Sequence, residues 1–552
     1  MASRSLRRVA ASLTLATCVV GLLSGATAQN PTVARGSGST PSYTNAPLDG
    51  PLQSVPGVCS SNTGVNPDIV TLEANSSTVH WGYYYAGAEP KLVINSGDTV
   101  NVEMCTQHGG DDYPKIIQGD PGLESIYNWT SAGPTVAFRG RTGKGDGVHV
   151  LTGPIFVCGA EPGDVLQVDI LDLTPRPNPG NDNRTYGSNA AASWGYQFRS
   201  GFLDNIKREI VTIYEIIKSA TGKAYVAVPD YQFKYGSFGQ PQPAASYIGP
   251  ESNCTAFSGA MPNIANGLVF DWNNSGQTFR SMLKVPCREN DTQQWEGLYY
   301  PGVITQHPTG TEDYSIRGKF KVPVNFHVGS LGLAQATNTT TDSVVPNMGG
   351  GNVDDRRIGI GATLYYPVAV EGALVSMGDA HTAQGDSEFD GTAIETNING
   401  QFKFTLHKQA SLPPMLEGLN YPLLENANEF VIHGYTVTDY LTLPDPSSIY
   451  QMSDLNSAFN NTWVNARSFL MNAYNLTEDQ AITAVTTVAD FGVTQVVDGN
   501  WGVHLTIPKW AFTDINNTET PYVPLTVTGG SNLLNETMAA VANANVNIAT
   551  AG

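Results

Sequence analysis

The stretch MGDAHTAQGDSE, residues 377–388, puts three carboxylates and one imidazole within ten positions and carries two Gly-Asp pairs seven apart. Asp379 and His381 are two residues apart. On extended backbone both would point to one face, where they could share one cation or one water. His381 can supply a neutral nitrogen ligand, and Asp379 and Glu388 can supply oxygen ligands to a metal. The same residues would also make a polar turn whose carboxylates cap backbone amides, because Asp-rich turns are common. Spacing alone leaves both readings open.

The elements that must hold this stretch read as strands. Alternation begins near Thr78-Val79-His80-Trp81-Gly82-Tyr83-Tyr84. Residues 91–103 follow as strand, Ser-Gly-Asp turn and strand, and the shape recurs at 153–170 and loosely at 364–379. The recurrence suggests an internal duplication. In this reading a strand ends at Met377, and Gly378-Asp379-Ala380-His381 opens a turn. Residues 175–320, rich in Asn, Gly, Pro and aromatics, read as long loops between short strands. Near the C-terminus, 454–475 and 478–490 carry helical spacing, with Phe459, Trp463, Ala466, Phe469 and Leu470 at steps of three or four. Thr477 and Gln480 fit a capping box. A last strand pair is expected around 502–507.

The expected fold is therefore mainly β with a small C-terminal helical hairpin. The expected divisions are a signal peptide at 1–28, an extended lead-in at 29–65, an N-terminal β unit with long loop insertions at 66–320, and a C-terminal β unit carrying the hairpin at 321–552. A chain of 552 residues has room for two or three cores of about 100–200 residues each.

The net charge of −20 argues against nucleic acid and against an anionic membrane surface as partners. Arg4, Arg7 and Arg8, the apolar run from Val9 to Leu23, and Ala26-Thr27-Ala28 make the three parts of a secretory signal. No later segment reaches the roughly 20 apolar residues of a membrane span. Eleven N-x-S/T triplets, among them those at Asn75, Asn183 and Asn475, suit a glycosylated, extracellular protein. Without the leader five cysteines remain, so at least one has no partner within the chain. Cys254 and Cys287 flank a Gly/Asn-rich segment and are a candidate disulfide, while Cys105 and Cys158 read as buried thiols or a disulfide.

Several segments resemble, in order, those of the acetamidase/formamidase family. They are Val79-His80-Trp81-Gly82, Ser96-Gly97-Asp98-Thr99-Val100, Gly153-Pro154-Ile155 with Ala160-Glu161-Pro162-Gly163-Asp164, Gly349-Gly350-Gly351-Asn352-Val353-Asp354, Leu364-Tyr365-Tyr366-Pro367-Val368, Glu371-Gly372-Ala373-Leu374, residues 377–388, and Gln495-Val496-Val497-Asp498 before Asn500-Trp501. The resemblance implies hydrolysis of short linear amides such as formamide or acetamide, with a small amide as the partner and a divalent metal, zinc foremost, as cofactor. It also implies that the mainly β fold comprises two related β-sandwich-like units. It implies metal ligands at Asp379 and His381, with His80 as a further candidate. Glu388 is the implied proton shuttle with Glu103 behind it, and Asn352 and Asp354 are implied substrate-binding groups. Glycines 378 and 385 would let backbone approach a small substrate.

Many members of the family carry Gly where Ser387 stands and Val-Cys where Phe389-Asp390 stand. A nucleophilic cysteine there is excluded, and the pocket's size and charge should differ. His108, in Cys-Thr-Gln-His-Gly-Gly, and His327 are secondary site candidates, whereas His149 reads as structural and His307, His407, His433 and His504 read as ordinary packed or surface residues. A non-catalytic secreted β protein that kept the fold is the alternative, and a glycosidase would need two carboxylates facing each other about 5–10 Å apart. A homo-oligomer is compatible with the sequence, which leaves assembly open.

Overall fold

The structure, a computed structural model, describes residues 59, 69–127, 129–130, 133–134, 148–191, 195–197, 208–222, 224–237, 312–338 and 340–512. The expected signal peptide, nearly all of the lead-in, and the Cys254/Cys287 pair lie outside the described residues.

The protein is mainly β. Two large sheets carry most of the strands. In the nine-stranded sheet, Val70–Leu72, Thr99–Met104, Ile398–His407, Val165–Pro175, Thr363–Pro367, Leu423–Glu425, Glu429–Tyr435, Gly502–Pro508 and Asp490–Gln495 lie side by side in that order. In the eleven-stranded sheet the main order is Val322–Pro323, Tyr225–Ser237, Arg208–Lys218, Thr185–Ala191, Glu395–Thr396, Val375–His381, His327–Leu333 and Gly350–Asn352. Val150–Val157 joins this sheet by pairing with Val375–His381, and in turn pairs with Val79–Trp81 and Leu92–Ile94. Each sheet takes strands from both sides of residue 320.

Alternation explains how the two sheets share a core. Thr99–Met104 buries Val100, Val102 and Met104, every second residue, and its neighbour Ile398–His407 buries Ile398, Phe402 and Phe404. These side chains cluster with Ile155, Val328, Leu331 and Met377 of the other sheet. Each such apolar side chain taken from water contributes about 1.5–3 kcal/mol, so the cluster fixes the register of strands that also carry polar site residues.

The repeated strand–turn–strand shape has a repeated construction. Asp98 accepts a hydrogen bond from Asn95 N at 2.8 Å, and Asp164 accepts one from Glu161 N at 2.9 Å. Gly97 and Gly163, both at positive φ, donate across to Phe404 O and Val368 O. Both turns carry the chain from the eleven-stranded sheet into the nine-stranded one.

The long loops expected over 175–320 give way, at 185–237, to three strands. Arg208–Lys218 and Tyr225–Ser237 form a long antiparallel hairpin whose turn is closed by Gly222 N donating to Ser219 O at 2.8 Å. Its sequence lacks clean alternation because Val211, Thr212, Ile213 and Tyr214 are all buried. A strand covered on both faces reads as a continuous apolar run.

The C-terminal helical hairpin forms as expected. Leu455–Tyr474 is capped by Asp454, whose carboxylate accepts from Ser457 N at 2.8 Å. Glu478–Val488 starts with the Thr477/Gln480 capping box. The buried stripe is shifted from the expected one: Ala458, Thr462, Ala466, Phe469 and Leu470 face inward, while Phe459 is exposed. Gly434 sets the docking distance, since a Cβ there would stand 2.2 Å from Thr462 N. Cys59 and Cys158 form a disulfide, and Cys105 is a buried free thiol whose pKa burial pushes up.

Candidate functional site

The site grows from the ladder between His327–Leu333 and Val375–His381. The strand runs through to His381 instead of turning at Gly378. Within it Asp379 sits at φ +53°, a region costly for a non-glycine residue, of order 1–3 kcal/mol. Gly378 is pressed against the neighbouring strand: a Cβ would meet Val150 O at 2.0 Å. So this glycine admits protein backbone, not substrate, and the close approach brings His149 Nε2 within 3.5 Å of Asp379 Oδ2. A Cβ at Gly385 would meet nothing within 4 Å.

His381 is fully buried, and its Nε2 faces three carboxylates: Asp379 Oδ1 at 3.2 Å, Glu395 Oε2 at 3.3 Å and Asp354 Oδ1 at 3.9 Å. The other ring nitrogen fixes what Nε2 presents. His327 Nδ1 lies 2.7 Å from Asn325 O, which can only accept, so His327 donates there and its Nε2 accepts. That Nε2 faces both His381 Nδ1 at 3.1 Å and Gln384 Oε1 at 3.3 Å, and as an acceptor it is satisfied only by His381, which then donates. A neutral His381 therefore aims the lone pair of Nε2 at the carboxylates, an arrangement that needs a proton or a cation between them. Burial works against a charged imidazole here, yet Glu395 and Asp379 push its pKa well above the ordinary value. Burial alone would raise Asp379, but His149 and His381 hold it well below. Burial, then His381, lowers His327 to about 4.

Gln107, in the loop after Thr99–Met104, donates from Nε2 to both Asp379 Oδ1 and Glu395 Oε2. Beside it His108 Nδ1 lies 3.0 Å from Asp111 Oδ2, which also accepts from Ser188.

A second acidic group adjoins the first and shares Asp354 with it. One oxygen each from Asp354, Glu388 and Asp498 lie within 4.8 Å of one another, as do ligand atoms from Asp354, Asp379 and His381. All these residues are buried. No donor reaches either Asp354 oxygen, Glu388 Oε2 or Asp498 Oδ2. Burial first, and then repulsion from neighbouring carboxylates, pushes Asp354 and Glu388 well above the usual carboxylate range, and burial, with Asp379 and Asp342 adding to it, raises Asp498. Glu388 is brought beside Asp498 by short bonds between their loops: Ser387 N donates to Thr494 O at 3.0 Å and Val496 N to Ser387 O at 3.1 Å. Asp354 (φ +51°) is anchored through the next residue. Asp355 accepts from His433 Nε2 at 2.9 Å and from Arg357 Nη1 at 3.0 Å. Burial would raise Asp355, but these partners together with His504 hold it well below its ordinary value.

Of the residues singled out in the sequence, Asp354, Asp379, His381 and Glu388 come together. Asn352 lies just before Asp354; its Nδ2 donates to Val344 O and its buried Oδ1 has no partner. Glu103 stands outside both groups, ion-paired with Arg176 and accepting from Ala74 N. His80 also stands outside them, with Nε2 3.0 Å from Ser376 Oγ, and burial followed by Lys91 lowers it to about 3. Gln107, His149, Glu395 and Asp498 complete the site, and no residue pattern in the sequence assigns them to it. Gln107 is adjacent to His108, and Asp498 ends the quoted Gln-Val-Val-Asp segment, which are the only local signals.

Comparison with known proteins places these features in a family. An acetamidase of Mycolicibacterium smegmatis is 30% identical over 243 residues, 44% of this chain and 49% of that protein. A formamidase of Methylophilus methylotrophus is 25% identical over 298 residues, 50% of this chain and 57% of that one. The chain spans about half the length of the curated relatives it matches. Among solved structures, an acetamidase of Bacillus halodurans aligns over 80% of this chain and 98% of its own, with a TM-score of 0.47 and 18% identity. The model of the Acetamidase/Formamidase family matches residues 142–239 and 314–514, segments that carry His149, Asp354, Asp379, His381, Glu388 and Asp498 and make up over half the chain, and the protein belongs to that family.

Proposed function

We propose that this protein hydrolyses the C–N bond of short linear amides, of the formamide or acetamide kind, to a carboxylate and ammonia, with a divalent cation, zinc, as cofactor. The observation that carries this reading is the convergence of His381 Nε2 with oxygens of Asp354 and Asp379, beside a second group in which Asp354 meets Glu388 and Asp498, several of these oxygens being buried without a hydrogen-bond partner. Buried polar atoms are normally satisfied, and this donor set of one imidazole and several carboxylates fits a divalent cation. The relatives' names, acetamidase and formamidase, point to the same chemistry.

Asp379 and His381 would hold the cation, with Asp354 shared toward the second acidic group. When bound, such an ion polarises a carbonyl and lowers the pKa of a water. The chain's own residues do the rest. Gln107 holds Asp379 and Glu395 in place by donating to both. His327 holds the His381 ring by accepting from its Nδ1. Glu388 serves as the proton shuttle: in its carboxylate form it takes a proton from the attacking water and passes it to the leaving nitrogen, which must be protonated to depart. That role falls to Glu388 because Glu103 is engaged with Arg176. The unpartnered Asn352 Oδ1 can accept from the substrate's amide N–H. We place the protein outside the cell on the strength of its leader sequence, and no helix among the described residues is long and apolar enough to cross a membrane.

Elemental analysis of the purified protein, run beside an ammonia-release assay on formamide and acetamide, tests the proposal. Bound zinc with turnover that chelation abolishes and zinc restores is expected. Turnover that survives complete metal removal would overturn the metal-dependent mechanism.

A further inference from the structure

The two loops that carry Glu388 and Asp498 each carry an aromatic ring as well. Phe389 directly follows Glu388, and Trp501 lies three residues after Asp498. Tyr196 joins the two rings: its centroid is 5.5 Å from that of Phe389, tilted 42°, and 5.9 Å from that of Trp501, tilted 55°. Backbone fixes the arrangement, since Tyr196 N donates to Phe389 O at 2.9 Å. Asp390 anchors the Phe389 loop from the other side by accepting from Asn189 Nδ2 at 3.1 Å. Phe389 is 52% exposed, Tyr196 36% and Trp501 8%. The row thus runs from two exposed rings to the buried Trp501, on the same loops that carry Glu388 and Asp498.

Exposed apolar surface costs free energy, and one large exposed ring needs no explanation. Here two exposed rings meet a buried third, and the first is bonded to a residue with an unpartnered buried carboxylate oxygen, Glu388 Oε2. Tilted rings 5–6 Å apart match the geometry in which another ring is accepted edge-to-face. We propose that Phe389, Tyr196 and Trp501 form a specificity subsite for an aromatic substituent on the acyl side of the amide, so that arylamides are hydrolysed in addition to, and faster than, the smallest aliphatic amides. This rests on the amide-hydrolase reading of the acidic site. It adds the substrate class: the amide carbon lies at the carboxylates, and its substituent extends along the ring row.

The test compares benzamide with acetamide on the zinc-loaded, full-length protein, wild type, Phe389→Ala and Phe389→Tyr. Position 389 is exposed, so the substitutions spare the core. The wild type is expected to show a higher kcat/KM on benzamide. Phe389→Ala should lower the benzamide-to-acetamide ratio about 3- to 10-fold, the range of one lost ring contact, and Phe389→Tyr should restore it. A ratio that does not move in Phe389→Ala, or a wild-type preference for acetamide, overturns the subsite. If the protein turns over neither amide, the hydrolase reading fails separately, and saturation-transfer NMR with benzamide decides the subsite. Saturation of the benzamide ring by wild type that weakens in Phe389→Ala supports it, and equal or absent transfer in both overturns it.

Discussion

Gly329 faces His381 so closely that a Cβ at position 329 would stand 2.4 Å from the imidazole Cε1. The same atom would stand 2.5 Å from Asp354 Oδ1 and 2.5 Å from Asp379 Oδ2. The space above this glycine is where the three side chains of the first group converge. Its φ lies outside the left-handed region, so alanine meets no backbone objection, only a steric one. Gly329→Ala should therefore fold, at an overpacking cost of about 1–3 kcal/mol, while splaying the ligand set. A zinc titration against a chromogenic chelator should show affinity about 10- to 100-fold weaker, the usual size of an effect exerted from just behind the ligands. Unchanged affinity would mean that the cation binds elsewhere.

His381→Ala removes the nitrogen that faces Asp379, Glu395 and Asp354. It should abolish both zinc binding and ammonia release. The variant leaves three buried carboxylates without their imidazole. Leaving a buried charge unpaired costs about 3–5 kcal/mol, so a lower melting temperature should accompany the loss. Retained turnover would remove His381 from the mechanism.

His433 supports Asp354 indirectly, through the hydrogen bond it donates to the adjoining Asp355. His433→Phe keeps a ring beside Tyr435, whose centroid is 6.5 Å away, but deletes the donor. A hydrogen bond to a charged group contributes about 1.5–3 kcal/mol, and urea unfolding should show a loss of that size. Zinc affinity should fall by less than in Gly329→Ala, because Arg357 still holds the Asp355 carboxylate.

What the sequence made legible was local. Asp379 and His381 were recognisable as partners because strand periodicity aligns i and i+2, and Thr477 with Gln480 because a capping box spans four residues. The residues that complete the site arrive by pairings that no short window contains. Gln107 is placed by a loop tied down through Thr106 N to Asn397 Oδ1, 291 positions away. Asp498 is brought in by the bridge between Ser387 and Gln495. His149 reaches Asp379 because Gly378 lets two strands close up. The Arg208–Lys218 strand was missed for a different reason, since burial on both faces erases the alternation that marks a strand.

Asp164 offers a pH test of the fold that does not involve the site. Its carboxylate closes a turn by accepting from Glu161 N at 2.9 Å and Gln409 N at 2.9 Å, and it pairs with Lys408 Nζ at 2.6 Å. Burial would raise its pKa, but Lys408 and the two amides hold it below the ordinary value. The unfolded chain, with a pKa of about 3.9, therefore binds the proton first as pH falls. Stability from this group is fully present above that value and is lost as pH drops through the lower native pKa. Asp164→Asn removes the charge at every pH, so it should destabilise at pH 6, and its deficit relative to wild type should shrink between about pH 4 and pH 3. Urea midpoints of both proteins across that range decide the matter. A deficit that stays constant from pH 6 to pH 3 would show that the carboxylate is no better held in the folded protein than in the unfolded chain.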